Sequence, residues 1–258
     1  MDIFTPQQNT IKSTPISEVY LGDCMDYMRQ FPDNYFGLAI PDPPYFTGPE
    51  KRLYYGNEVN KLNIKRKDYP IISEWIVPTS EFFDEVIRVS KNQIIWGCNY
   101  FQYQFGPGRI IWDKCNGESS FSDCEIAYCS FHDSVRMFKF MWNGMLQGKD
   151  RFDGATMQVN KKLKEFKIHQ TQKPVELYKW CFERYLNSGD KILDTHLGSQ
   201  SSRIAAYDLQ FEFYGSELNE THFDNGCERF ERHKSIKEDI QEFGYAKTEL
   251  SKGQLQIF

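Results

Sequence analysis

The chain has 258 residues, of which 40% are hydrophobic and 26% charged, and its formal net charge is −5. This composition is typical of one large globular domain or a domain with insertions, and no apolar run approaches the roughly 20 residues of a membrane span. The negative charge excludes non-specific nucleic-acid binding driven by total charge, although basic segments occur locally. Seven scattered cysteines indicate reduced thiols, and the first residues resemble no secretion signal, so we expect a cytoplasmic location.

Predicted strands and helices alternate, which indicates an α/β fold with a parallel sheet covered by helices on both faces. In the first half, strands are predicted at 18–21, 36–40, 93–96, 109–112, 125–130 and 135–140, and helices at 23–31 and 79–88. In the second half, a helix is predicted from Pro174 to about 186, strands at 191–194 and 211–217, a helix at 201–208 and a charged helix to about 240. Residues 47–70 and 143–166 show no periodicity and are predicted to be long loops.

Residues 41–46 read PDPPYF and follow the second predicted strand, which the prolines end in a rigid corner. Ligands of parallel sheets bind at the carboxyl ends of strands. Here the Asp42 carboxylate and the Pro43 carbonyl oxygen can accept hydrogen bonds from an exocyclic amine such as that of adenine. Pro44 fixes the direction of that carbonyl, and Tyr45 offers a ring on which a base can stack. A proline-stiffened turn with an aromatic plug is the alternative interpretation.

A second pattern lies in residues 191–217, which combine a strand, a glycine-containing loop, a helix and another strand. Asp194 ends the first strand, Gly198 lets the backbone approach a ligand, and Glu217 can accept hydrogen bonds from ribose hydroxyls. The loop has the glycine pattern neither of a dinucleotide site nor of a P-loop. An acid before the loop suits a cation such as S-adenosylmethionine. An ordinary α/β crossover is the alternative interpretation.

Four motifs in one order resemble those of the DNA amino-methyltransferases. They are Gly22-Asp23-Cys24, Asp42-Pro43-Pro44-Tyr45, His169-Gln170-Thr171-Gln172-Lys173-Pro174 and Asp194-Thr195-His196-Leu197-Gly198-Ser199. Their order is similar to the permuted "beta" arrangement of that family, and the resemblance covers about residues 18–230. It implies a Rossmann-like methyltransferase sheet with helices on both faces and inserted target-recognition segments. We expect one such domain over residues 1–245 and a tail at 246–258.

The resemblance implies transfer of a methyl group from S-adenosylmethionine to an amino group in DNA, with the target base flipped out of the duplex. In this family, aspartate at the first position of the box favours adenine N6 over cytosine N4. The resemblance assigns catalysis to Asp42, Pro43, Pro44 and Tyr45. It assigns the methyl donor to Asp23, Cys24, Thr171, Lys173, Pro174, Asp194, His196, Gly198, Ser199, Glu217 and Asn219. Cys24 is expected to pack near the donor, because amine methylation needs no nucleophilic thiol.

The chain departs from the family pattern at Gln170, His196 and Gln200, where a proline, an aromatic residue and a glycine are usual. We therefore expect a less tightly turned loop and a weaker hold on the donor. His196 is expected either to stack beside the donor or to be a capping or surface histidine. Pro41, directly before the box, is expected to end its strand one residue early.

Two basic segments fall in the regions 47–70 and 115–166, which are the candidate DNA-recognition insertions. Lysines there would contact phosphates. The candidate DNA-binding residues are Lys61, Lys65, Arg66, Lys67, Lys161, Lys162 and Lys164. Solvated charged surfaces are the alternative interpretation of both segments.

The chain ends QLQIF, which resembles the peptide by which bacterial proteins bind the replicative sliding clamp. Gln254, Leu255, Ile257 and Phe258 would dock into the clamp, unless the tail folds back on its own domain. The permuted arrangement also suggests a homodimer.

Other functions stay open at this point. Cytosine-N4 methylation, methylation of RNA adenine or of a protein amide, and a non-catalytic DNA-binding or clamp-binding protein on the same scaffold are the alternatives. No metal is expected, because Cys115, Cys124, Cys129 and His132 lack the paired spacing of zinc ligands.

Overall fold

A computed structural model describes residues 15–45, 77–116, 122–143, 146–148, 165–168 and 171–253. The strands are β1 (Ser17–Leu21), β2 (Leu38–Ala39), β3 (Ile94–Trp96), β4 (Arg109–Asp113), β5 (Cys124–Cys129), β6 (Val135–Lys139), β7 (Met141–Asn143), β8 (Leu146–Gly148), β9 (Lys191–Asp194) and β10 (Glu212–Glu217). The helices are α1 (Cys24–Met28), α2 (Ser80–Val89), α3 (Val175–Tyr185), α4 (Ser201–Leu209) and α5 (Glu220–Gly253). Within these ranges, no helix has the length and apolar content needed to cross a membrane.

Two four-stranded sheets form the centre of the fold, in the orders β1-β10-β9-β2 and β3-β5-β4-β6. The first is entirely parallel. Parallel bridges and backbone hydrogen bonds join β2 to β3, including Ala39 N to Asn92 O at 2.9 Å and Trp96 N to Pro41 O at 3.1 Å. The strands therefore follow one another as a continuous surface, with the carboxyl ends of β1, β10, β9, β2, β3 and β4 along one edge.

Helices cover both faces of this surface, as the alternating pattern predicts. On one face, Leu38 and Ile192 pack with residues of α3 and α4. On the other face, Ala39 and Leu193 pack with residues of α1 and α2. Neighbouring strand residues thus enter different cores, which is why the buried strands are apolar on both sides.

The helix ends follow ordinary capping chemistry. The Asp23 carboxylate accepts the Met25 N–H at 2.7 Å and begins α1. Pro174 occupies the N-cap of α3 rather than the predicted first helical position, which Val175 takes. The buried Asp208 carboxylate lies near the C-terminal end of α4. It pairs with Lys179 of α3 and with His233 and Lys237 of α5, and these contacts hold α3 and α5 against α4.

Several elements differ from those predicted. The sheet is not wholly parallel, because β5 runs antiparallel to both β3 and β4. Helix α1 ends at Met28 rather than near 31. Strand β8, which pairs antiparallel with β7, lies inside the predicted loop 143–166. Helix α5 continues past residue 240 to Gly253. Strand β2 ends at Ala39, one residue before the predicted end at 40, although the Pro41 carbonyl oxygen still accepts a hydrogen bond from Trp96 N–H.

Candidate active site

The corner after β2 brings together residues from two motifs that lie far apart in the sequence. Asp42 Oδ1 accepts a hydrogen bond from the Tyr45 hydroxyl at 2.5 Å, and Asp42 Oδ2 lies 2.5 Å from the Lys173 ammonium. The same ammonium donates to the Tyr45 hydroxyl oxygen at 3.0 Å. Pro43 is buried next to Asp42, and no described residue donates to its carbonyl oxygen. The corner therefore presents a carboxylate acceptor and a carbonyl acceptor close together.

A second carboxylate, that of Glu125 at the start of β5, completes an ion cluster around Lys173. Glu125 Oε2 lies 2.9 Å from Lys173 Nζ, and Glu125 Oε1 lies 2.6 Å from Lys114 Nζ. Burial acts to lower the pKa of Lys173, but Asp42 and Glu125 raise it overall. Burial raises the pKa of Asp42, while the Lys173 ammonium opposes that rise. The ammonium therefore favours the charged form of the buried Asp42 carboxyl group.

Tyr45 is fixed from two sides. Its ring stacks on Tyr100, with centroids 5.0 Å apart and planes 10° from parallel. Gly97, which precedes the 3₁₀ turn Cys98–Tyr100, has φ 69°, and a Cβ atom there would lie 2.0 Å from Tyr45 Cε1. Burial and the Asp42 carboxylate raise the pKa of Tyr45 well above its usual value, so its hydroxyl remains protonated and donates to Asp42.

The loop between β9 and α4 is shaped by two carboxylates. Asp194 Oδ1 accepts the His196 N–H at 3.0 Å, and Asp194 Oδ2 accepts the Ser202 hydroxyl at 2.5 Å. Glu217, at the end of β10, accepts the Gly198 N–H at 2.8 Å. Gly198 has φ 47°, a left-handed conformation that glycine adopts without strain. The loop thus turns tightly against the carboxyl ends of β9 and β10.

Gln200 does not loosen the turn, contrary to the prediction. It has φ 58° and ψ 31°, the left-handed conformation in which a glycine is usual, at a cost of about 1 kcal/mol. Its buried amide compensates by bridging neighbouring elements. Nε2 lies 3.2 Å from the Cys227 sulfur, and Oε1 accepts from Arg203 at 2.9 Å. Side-chain contacts therefore replace the conformational freedom of glycine.

His196 in this loop and Cys24 at the start of α1 are two further residues predicted to bind the methyl donor. Burial lowers the pKa of His196 to about 4, with Glu217 and Asp23 acting in the opposite direction, so the imidazole is neutral at pH 7. The His196 ring is half-buried and meets the Phe82 ring edge-on at 5.4 Å. Burial, with a smaller contribution from Asp23, raises the pKa of Cys24 to about 12. Cys24 is therefore a neutral thiol, which fits packing rather than nucleophilic chemistry.

An ion pair connects this loop to the segment before α3. Arg229 Nη1 donates to the Ser199 carbonyl oxygen at 2.5 Å, and Arg229 Nη2 lies 2.6 Å from Glu165 Oε1. Glu165 Oε2 accepts the Val175 N–H at 3.1 Å and so caps α3. The loop, α5 and the start of α3 are consequently held as one unit.

Two residues that were predicted to bind the methyl donor make their main contacts with other parts of the protein. The Lys173 ammonium contacts the Asp42 corner and Glu125 rather than the loop. Asn219 Oδ1 accepts the His222 N–H at 3.0 Å and caps α5. Ser199 is buried with its hydroxyl 3.1 Å from that of Ser201, and Thr171 and Pro174 lie directly before α3.

Several predicted residues lie outside the described ranges. They are His169, Gln170, the candidate DNA-binding residues Lys61, Lys65, Arg66, Lys67, Lys161, Lys162 and Lys164, and the tail residues Gln254, Leu255, Ile257 and Phe258. Within the described ranges, His, Cys, Asp and Glu form no group of three or more that could hold a metal ion. His132 instead contacts the Tyr185 hydroxyl at 2.9 Å.

Sequence analysis missed Glu125, Lys114, Gly97 and Tyr100. Glu125 lies at the start of a predicted strand. The start of a strand lies beside the carboxyl ends of its neighbours only if it runs antiparallel to them. No local signal indicates that direction. Gly97-Cys98-Asn99-Tyr100 directly follows a buried strand, and its position at the end of β3 was the available signal.

Comparison with known proteins agrees with this geometry. Residues 132–227 match the N6_N4_Mtase family model, which is described as DNA methylase. The type II methyltransferase M2.MboI of Moraxella bovis is 25% identical over 231 residues, covering 77% of this chain and 82% of the relative. The chain is therefore similar to DNA methylases of the N6/N4 family. Its recognition from four motifs is thereby confirmed.

Two further matches extend over most of the chain. The type II methyltransferase M.HinfI of Haemophilus influenzae is 22% identical over 258 residues, covering 88% of this chain and 71% of the relative. The solved PvuII DNA methyltransferase, named as cytosine-N4-specific, has a TM-score of 0.50 and 13% identity, and covers 87% of this chain and 94% of that one. The last likeness concerns the fold, which is the predicted α/β methyltransferase architecture.

The contact between Gly97 and Tyr45 gives a testable prediction. We expect Gly97→Ala to push the Tyr45 ring aside and to remove its hydroxyl from Asp42, which would lower DNA methylation about 10²-fold. Gly106→Ala is the matched control, because the nearest atom to its added Cβ is 3.5 Å away, an ordinary contact. Initial methylation rates and thermal unfolding of both variants check this, and a fully active Gly97→Ala enzyme would contradict it.

Proposed function

We propose that this enzyme transfers a methyl group from S-adenosylmethionine to the N6 amino group of adenine in DNA. The main support is the parallel pairing of β2 with β9, in which Ala39 lies opposite Leu193. Asp42 follows the first of these strands and Asp194 ends the second. An amine-binding corner and a ligand loop therefore emerge from neighbouring strand ends, which is the arrangement that a direct transfer between two bound molecules requires.

The residues around the loop fit a cationic donor. Asp23, Asp194 and Glu217 bring three carboxylates to this edge, and none of them is ion-paired to a lysine or arginine of the described ranges. Burial raises the pKa of Asp194 to about 7, and Asp42 and Glu217 add to the rise. A neighbouring cation would relieve this repulsion. When bound, S-adenosylmethionine supplies a sulfonium methyl group, whose carbon–sulfur bond breaks as the carbon–nitrogen bond forms.

The chain's own residues then act on the acceptor amine. The two N–H groups of an adenine amine can be accepted by the Asp42 carboxylate and the Pro43 carbonyl oxygen. This hydrogen bonding favours a pyramidal nitrogen whose lone pair is no longer delocalised into the ring. Asp42 also stabilises the positive charge that develops on the nitrogen during transfer. That charge is lost when the methylated amine releases one proton.

Only part of the surface of the Tyr45 ring is accessible to a flipped base. Tyr100 stacks on one face of it, so a base must use the opposite face or displace Tyr100, whose surface is 54% exposed. Stacking of this kind contributes about 1–3 kcal/mol per base. Because the base must leave the duplex to reach the corner, base flipping is part of the proposal.

Adenine is preferred over cytosine because the box begins with aspartate, while cytosine N4 is the second candidate. We expect incubation with unmethylated bacterial DNA and isotope-labelled S-adenosylmethionine, followed by nucleoside mass spectrometry, to give labelled N6-methyladenosine. We expect Asp42→Ala to abolish transfer, because the amine loses its charged acceptor. Asp26→Ala is the control, since Asp26 is exposed and pairs only with Arg29 among the described residues. Label in N4-methylcytosine would show that cytosine rather than adenine is the target base. No label, together with no binding of S-adenosylmethionine, would favour a non-catalytic DNA-binding protein.

Donor binding should depend on pH through Asp194. Its carboxyl is protonated below its folded pKa of about 7 and anionic above it. A bound cation favours the anion, so the dissociation constant for S-adenosylmethionine should rise as pH falls from 8 to 6, and binding at pH 6 should release a proton. Calorimetry in two buffers of different ionisation enthalpy measures this release. Proton uptake, or no proton change at pH 6, would exclude Asp194 as the linked group.

The C-terminal peptide and the dimer are separate parts of this proposal. We expect deletion of residues 254–258 to remove binding to an immobilised bacterial sliding clamp and to leave methylation of short DNA unchanged. Unaltered clamp binding by the shortened chain would refute the docking role of the peptide. Sedimentation velocity tests the proposed homodimer.

A further inference from the structure

The amine corner is already filled by the protein's own donors. Tyr45 donates to Asp42 Oδ1 and Lys173 contacts Asp42 Oδ2, each at 2.5 Å. A target amine that binds Asp42 at Oδ2 therefore competes with the Lys173 ammonium for that oxygen. Tyr45 is constrained by Tyr100 and Gly97, whereas Lys173 has a long side chain with four rotatable bonds. Lys173 is thus the donor that can move.

Lys173 cannot simply leave without another anion. Its side chain is 3% exposed, and an unpaired buried ammonium would cost several kcal/mol. Glu125 provides the second anion, with Oε2 already 2.9 Å from Lys173 Nζ. This oxygen is buried, and the Lys173 ammonium is its ion-pair partner among the described residues. A carboxylate can accept several hydrogen bonds, so Glu125 can hold the ammonium when the amine occupies Asp42 Oδ2.

Glu125 is itself held in place. Lys114 lies 2.6 Å from Glu125 Oε1, so that Glu125 Oε2 stays directed away from Lys114. Burial opposes ionisation of Glu125, but Lys173 and Lys114 together lower its pKa to about 2. Glu125 therefore remains an anion throughout the working range of pH.

We propose that Glu125 is a positioning residue that receives the Lys173 ammonium when the target amine binds Asp42. In the free enzyme, Lys173 lies between the two carboxylates, 2.5 Å from Asp42 Oδ2 and 2.9 Å from Glu125 Oε2. When the base arrives, the ammonium turns toward Glu125 Oε2 and frees Asp42 Oδ2 for the amine N–H. The cluster of Asp42, Glu125, Lys173 and Lys114 stays neutral as a whole during this exchange. The inference rests on the proposed amine transfer at Asp42.

The test is a double-mutant cycle on single-turnover methylation of unmethylated bacterial DNA. Glu125→Gln keeps the shape of the side chain but removes the anion, so Lys173 should remain on Asp42. We expect the rate constant to fall about tenfold or more, equivalent to at least about 1.4 kcal/mol, while the dissociation constant for S-adenosylmethionine stays within about twofold. In a Lys173→Met background there is no ammonium to receive, so adding Glu125→Gln should change the rate by less than about twofold.

The matched control is Asp208→Asn, which also converts a buried, lysine-paired carboxylate to an amide but lies at the other end of α4. It should lower the thermal stability without slowing transfer by the folded enzyme. If Lys173→Met is too slow to measure, Glu125→Asp decides the matter. This variant keeps the anion and should recover most of the rate lost in Glu125→Gln, whereas a role in packing alone would leave the shorter aspartate no better than glutamine.

Two results would overturn the inference. One is a Glu125→Gln enzyme with a normal rate constant, and the other is an equal loss of rate with and without Lys173. Failure of the proposed function looks different, because then the wild-type enzyme itself would transfer no methyl group or Asp42→Ala would remain active.

Discussion

The parallel register between β2 and β9 is the constraint on which the site depends. Leu38 pairs with Ile192 and Ala39 with Leu193, so both strands reach the edge together. A shift of one residue would exchange the two faces and would put Leu38 and Ala39 into the wrong cores. Apolar packing on both faces therefore fixes the relative height of the Asp42 corner and the Asp194 loop. Chemistry at the edge is positioned by hydrophobic residues that never contact the ligands.

Polar contacts then refine what the sheet positions. The loop after β9 is turned by Asp194 and Glu217, and Arg229 ties it to Glu165 at the start of α3. Lys173 lies in the segment directly before α3, and its ammonium contacts Asp42 in the amine corner. The donor loop and the acceptor corner are thus connected by covalent chain and by ion pairs. Such connections favour a site that is preorganised before either substrate arrives.

The sequence allowed most elements to be predicted, because their periodicity and caps are local properties. Asp23 and the strand ending at Asp194 are examples. Direction and partnership of strands are not local, which explains why antiparallel β5 and its Glu125 were missed. The Lys173–Tyr45 contact joins residues 128 positions apart, and no spacing rule could indicate it. The contacts of Gln200 were missed partly for the same reason, since its amide contacts Cys227 of α5, 27 positions away in the sequence.

The ion cluster in the amine corner is difficult to explain by stability. Removing charges from water costs several kcal/mol per ion, and a well-packed apolar group of similar volume often gives an equally stable or more stable protein. Lys173 and Asp42 are nevertheless buried together, and the same ammonium also pairs with Glu125. An arrangement optimised only for folding would dispense with these charges. A cation that changes partners during turnover requires two acceptors within reach, and that is the arrangement around Lys173.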